Sequence, residues 1–102
     1  MGIELLWEEE SGDVLARVDD PLSLVQRFLP SPSALDFACL RFVDPYGDTI
    51  FNTLQLPFLL EELRRRSESS FEPKVIAHLQ AVLELVNKAQ GHVHTYVRFV
   101  GD

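Results

Sequence analysis

Residues 35–52 read LDFACLRFVDPYGDTIFN, and the reading of this stretch decides the fold. Both alternating sets over 37–43 are apolar, Phe37, Cys39 and Val43 on one side and Ala38, Leu40 and Phe42 on the other, with Arg41 the one interruption. A strand of that kind is normally central in its sheet and covered on both faces, so the pattern predicts a strand over 35–43. DPYGDT then suits a three-residue hairpin loop: Asp44 opens the turn, Pro45 presets φ, and Gly47 is expected in the left-handed conformation. IFN returns as the antiparallel partner, with Phe42 opposite Ile50 and Leu40 opposite Asn52.

Asp44 and Asp48 flank that turn and raise the question of a cation. A calcium loop requires about six or seven oxygens at set positions, whereas here Tyr46 stands third and Gln55 twelfth. The turn is explained by its own backbone needs.

Working outward, IELLWEEESGDVLARV reads as a hairpin, because one register places Trp7 opposite Val14, Leu5 opposite Ala16 and Ile3 opposite Val18, all on one side. Glu4 then faces Arg17, and Leu6 faces Leu15, on the other side. Asp20 as N-cap and Pro21 at the first position predict a two-turn helix ending before Pro30, with Leu22, Val25, Phe28 and Leu29 apolar. Leu56, Leu59, Leu60 and Leu63 predict a helix over 54–67, with Glu61–Arg65 and Glu62–Arg66 as surface pairs. Pro73 restarts a helix that runs to about residue 90 on Ile76, Leu79, Leu83 and Val86, with Gly91 as its stop and His78 on its surface. HVHTYVRFV closes the chain as a strand. The expected fold is one α+β domain over 1–102: a mostly antiparallel sheet of about five strands with helices packed on one face, a two-layer sandwich.

Sixteen acids against nine bases give a formal net charge of −7. Seven of those acids precede residue 21 against Arg17 alone, a local net of −6 that leaves −1 for the other 82 residues. Such a field repels nucleic-acid backbones and anionic membrane surfaces, and Arg64, Arg65 and Arg66 are spread round a helix beside glutamates. No apolar run approaches the roughly 20 residues needed to cross a bilayer, and MGIELLWEEE is no export signal, so a cytoplasmic location is expected.

Chemistry-bearing motifs are few. Cys39 stands alone in an apolar segment, and the chain has no nucleophile elbow, phosphate-cradling glycine series or Cys-x-x-Cys, so no cofactor is expected. The leading expectation is a non-catalytic protein-binding or regulatory module, homodimeric through the sheet face away from the helices, with Leu6, Leu15, Phe37, Cys39, Phe51, His94 and Tyr96 on that face. Glu8, Glu9, Glu10, Asp13, Asp19 and Asp20 form a second expected surface, steering a basic protein partner. The alternative is a small metal-dependent hydrolase in which His92 and His94, two apart on a strand, bind zinc with Asp44 or Asp48 and activate water.

Overall fold

Alternation at the N-terminus produces the expected hairpin. The computed structural model, which describes residues 2–102, places β1 over Glu4–Glu9 and β2 over Val14–Val18. Leu5 faces Val18, Leu6 faces Arg17 and Trp7 faces Ala16, two residues from the expected register. A slip of two keeps Leu5, Trp7, Ala16 and Val18 on their expected face. A bulge opposite Trp7 and Glu8 leaves Leu15 as the extra residue, and Val14, expected under the helices, is exposed.

Asp20 reaches further than a cap. Its buried carboxylate accepts N–H bonds from Ile3 at 3.0 Å, Leu24 at 2.7 Å and Val25 at 3.1 Å, tying the entry to β1 to the start of a helix. That helix, α1, is the single turn Val25–Phe28 and not the expected two turns from Pro21, because residues 21–24 form a turn in which Ser23 takes φ 56°. Val25 and Phe28 are buried, and Leu22 is exposed.

The expected strand over 35–43 does not form. The segment runs through turns into a 3₁₀ helix, Leu40–Phe42, whose first amides donate to the buried Glu62 carboxylate, Cys39 N–H at 3.0 Å and Leu40 N–H at 2.9 Å. Glu62 is therefore no surface partner of Arg66, which instead donates to the Phe28 carbonyl at 2.7 Å and stacks on Phe37 and Phe71. Glu61 and Arg65 do pair, at 3.1 Å. Residues 35–43 are apolar on both sides because Cys39, Leu40 and Val43 enter the core while Phe37 packs at its edge under arginine.

Without that strand, β3, Asp48–Phe51, pairs antiparallel with β4, Thr95–Val100, and neither Phe42–Ile50 nor Leu40–Asn52 is a strand pair. DPYGDT is a turn of another kind. Asp44 accepts the Tyr46 N–H at 2.8 Å and donates its own N–H to Thr49 Oγ1 at 2.9 Å. Gly47 does not adopt a positive φ; a Cβ there would stand 2.9 Å from Asp44 Oδ2, so a larger residue would have to push that carboxylate aside. Gly101 and Asp102 seal the loop, donating to the Gly47 carbonyl at 2.7 Å and the Pro45 carbonyl at 3.0 Å.

Asn52 and Gln55 cap the next helix reciprocally: Asn52 Oδ1 accepts the Leu54 and Gln55 amides, and Gln55 Oε1 accepts the Asn52 amide. Helix α2, Leu56–Ser67, buries the expected Leu56, Leu59, Leu60 and Leu63, with Pro57 harmless in its first turn. Helix α3, Pro73–Ala89, centres its stripe on Val75, Leu79, Val82, Val86 and Ala89, leaving Ile76 and Leu83 only partly covered. It lies against α1, α2 and the strands β1, β2 and β4. Among the described residues the result is an α+β fold with a four-stranded antiparallel sheet in the order β2-β1-β4-β3 and three α-helices. Loss of the 35–43 strand accounts for four strands where about five were expected.

Candidate functional site

Strand register fixes what lies on the sheet face away from the helices. Leu5, Trp7, Val97, Phe99 and Phe51 pack toward the core, so their alternating neighbours share the other face: Glu4, Leu6 and Glu8 of β1, Tyr96, Arg98 and Val100 of β4, and Asp48 and Ile50 of β3. At the centre, Arg98 Nε and Nη2 donate to the two Glu8 oxygens at 2.8 and 2.9 Å, while Nη1 donates to Asp48 Oδ2 at 2.9 Å. The Glu8 side chain is almost wholly buried, and the hydrogen bonds from Glu8 and Asp48 hold the Arg98 guanidinium above its ordinary pKa. Around this network Val14, level with Glu8, is 48% and Ile50 55% exposed, with Tyr96 and Val100 half-buried.

Leu15 is turned by the bulge to stand with Trp7 and Val93 at the sheet end; of the other residues expected on this face, Leu6 and Tyr96 are there, though Leu6 is buried beneath its neighbours. Phe37, Cys39, Phe51 and His94 are not. Phe51 points into the core and meets Phe99 edge-on at 5.9 Å, because β3 pairs with β4 and not with 35–43. Phe37 lies beneath Arg65 at 4.4 Å, and Cys39 is buried beside Glu62. His94 precedes β4 and takes φ 60°, which ends the alternation that would have kept it in line with Tyr96.

Cys39 is no nucleophile at neutral pH. Burial first, then the Glu62 carboxylate, push its thiol up to about 11.

The acidic N-terminal run divides into three. Glu8 and Asp20 are internal, consumed by Arg98 and by backbone amides, and leave the expected docking surface. Glu9, Glu10 and Asp13 gather at the β1–β2 turn, where Glu9 N–H donates to the Asp13 carbonyl at 2.9 Å. Asp19 is exposed at the other end of β2, 3.4 Å from Arg17.

The proposed zinc ligands are not brought together. His92 packs edge-on against Trp7 at 5.1 Å, whereas His94 Nδ1 lies 3.2 Å from Glu10 Oε1. Asp48 is level with Val100 at the far end of β4, about 17 Å of strand from Thr95. Antiparallel pairing of β3 with β4 sets opposite ends together, and among the described residues no three His, Cys, Asp or Glu side chains group to hold a metal. His78, expected on the helix surface, is largely buried 3.5 Å from Asp20 Oδ1.

Sequence reasoning missed Asp48, Ile50 and Val100 as members of the uncovered face because their placement depends on which strand β3 pairs with. Their alternation was visible, but its partner was not. No family model, curated protein or solved structure matches this chain. Among the described residues no helix is long and apolar enough to cross a membrane.

Proposed function

We propose that this chain is a non-catalytic protein-binding module that works through the uncovered sheet face, with a second copy as its first partner. The observation that carries this reading is exposed Val14 and Ile50 around an ion network already satisfied within one chain. Covering such a face strands no buried charge, and its apolar area gains by leaving water. A two-fold partner suits it: Arg98 spends three of its five N–H groups internally and Asp48 is partly exposed, so either can reach the other's counterpart across the axis.

Four strands about 4.8 Å apart and some six residues long present roughly 400 Å² in projection, below the ~800 Å² per partner of a stable complex. The association is accordingly weak and reversible. Sedimentation velocity over a concentration series tests it: dimer should accumulate toward high micromolar protein and disappear in Ile50→Lys. A monomer throughout that range, or unchanged association in the variant, overturns the reading.

A further inference from the structure

The β1–β2 turn and the connection from α3 to β4 meet at one end of the sheet, joined by the Glu10 N–H donating to the His94 carbonyl at 2.9 Å. Between them lies a groove of about 560 Å³. Its apolar walls are Leu15 from β2 and Val93 from the connection, the latter 72% exposed, with Trp7 and His92 between them. The Trp7 indole Nε1 is buried and has no hydrogen-bond partner among the described residues.

Charge at this end is one-sided. Glu9 lines the groove, Glu10 holds its wall through His94, and Asp13 is adjacent, yet no lysine or arginine stands in residues 9–14 or 90–97. Several carboxylates elsewhere meet arginines within the chain, as Glu8 meets Arg98, Glu61 meets Arg65 and Glu72 meets Arg27. Among the described residues, the three carboxylates at the turn meet no arginine or lysine.

We propose that this groove binds an extended basic segment of another protein, one large apolar side chain seated between Leu15 and Val93 and flanking arginines or lysines set against Glu9, Glu10 and Asp13. The apolar anchor supplies affinity, and the carboxylates supply steering and discrimination. This surface is distinct from the uncovered sheet face, and the proposal does not depend on self-association.

Trp7 is the chain's one tryptophan and reports directly on the groove. The probe is a fluorescein-labelled peptide with a central phenylalanine between arginines, free of tryptophan and tyrosine, titrated at low and high salt. Expected are a saturable change in Trp7 emission, a parallel rise in polarisation at low salt, and neither effect from the same peptide with glutamates for arginines. Val93→Asp, an exposed site that leaves folding intact, should weaken binding about tenfold or more. Glu9→Gln with Glu10→Gln and Asp13→Asn should weaken it and flatten its salt dependence. Ile50→Lys should leave it unchanged, separating the groove from the sheet face. Unchanged Trp7 emission, equal binding of the glutamate peptide, or full affinity in Val93→Asp overturns the proposal. So does a concentration-dependent Trp7 shift without peptide, which assigns the groove to a second copy.

Discussion

Arg98 holds both oxygens of Glu8, at 2.8 and 2.9 Å, on a sheet face that no helix covers. Removing the guanidinium leaves a buried carboxylate without its cation, which in a dry site costs about 3–5 kcal/mol. Arg98 is partly open to water, and solvent offsets some of that loss. Arg98→Leu is expected to cost about 2 kcal/mol in urea unfolding, and Arg98→Leu with Glu8→Leu to recover most of it. Asp48→Asn, at the exposed arm of the network, should cost under ~1 kcal/mol.

Asp20 serves three backbone donors that no other group reaches. Asp20→Ala strands them and should lower stability by about 2–3 kcal/mol, while Asp20→Asn keeps one acceptor and loses less. Amide exchange at Ile3, Leu24 and Val25 distinguishes the two: all three are expected to lose protection in the alanine variant.

Cys39 carries a pH signature. Its folded thiol sits near 11, above the ~8.5 of an unfolded one, so the proton is held more tightly by the folded chain. The stabilising contribution is complete below about pH 8.5 and falls above it, at up to ~1.4 kcal/mol per pH unit, until the folded thiol titrates. Denaturation midpoints from pH 7 to 11 should diverge between the native chain and Cys39→Ala over that window. Glu62→Gln removes the neighbouring charge but not the burial, so the divergence should shrink and persist.

Gly101 leaves no space for a side chain. A Cβ would stand 2.5 Å from the Pro45 carbonyl group, so Gly101→Val should detach the chain end from the 44–49 turn. The Gly101 and Asp102 amides then lose their acceptors, and the melting temperature should fall by several degrees, with faster amide exchange in that loop.

Elements with their own periodicity and caps were legible in the sequence. The four leucines of α2 and the matched alternation of β1 and β2 each carry a local signal that the fold obeys. Residues 35–43 carry an equally apolar signal without one, since an apolar run of that length fits a strand or a buried loop alike. What decides it is Glu62, whose carboxylate claims the Cys39 and Leu40 amides from more than twenty residues away. Read locally, Glu62 and Arg66 look like a helix-surface pair. The same non-local choice then moved Phe51 to the core and Ile50 to the surface, which is why half of the candidate face was hidden.

The strand order β2-β1-β4-β3 seats the first strand beside the last, in the middle of the sheet. During synthesis β1 therefore waits, one long edge bare, until almost everything between it and β4 has emerged. The β1–β2 hairpin can pair early, but the seam between it and the β3–β4 pair closes only when β4 has emerged. A ribosome that stalls before Thr95 leaves Leu5 and Trp7 without Phe99 and Val97 across from them. Such a fragment exposes an apolar strand edge of the kind that recruits other chains, and its quality control falls to chaperones and proteases.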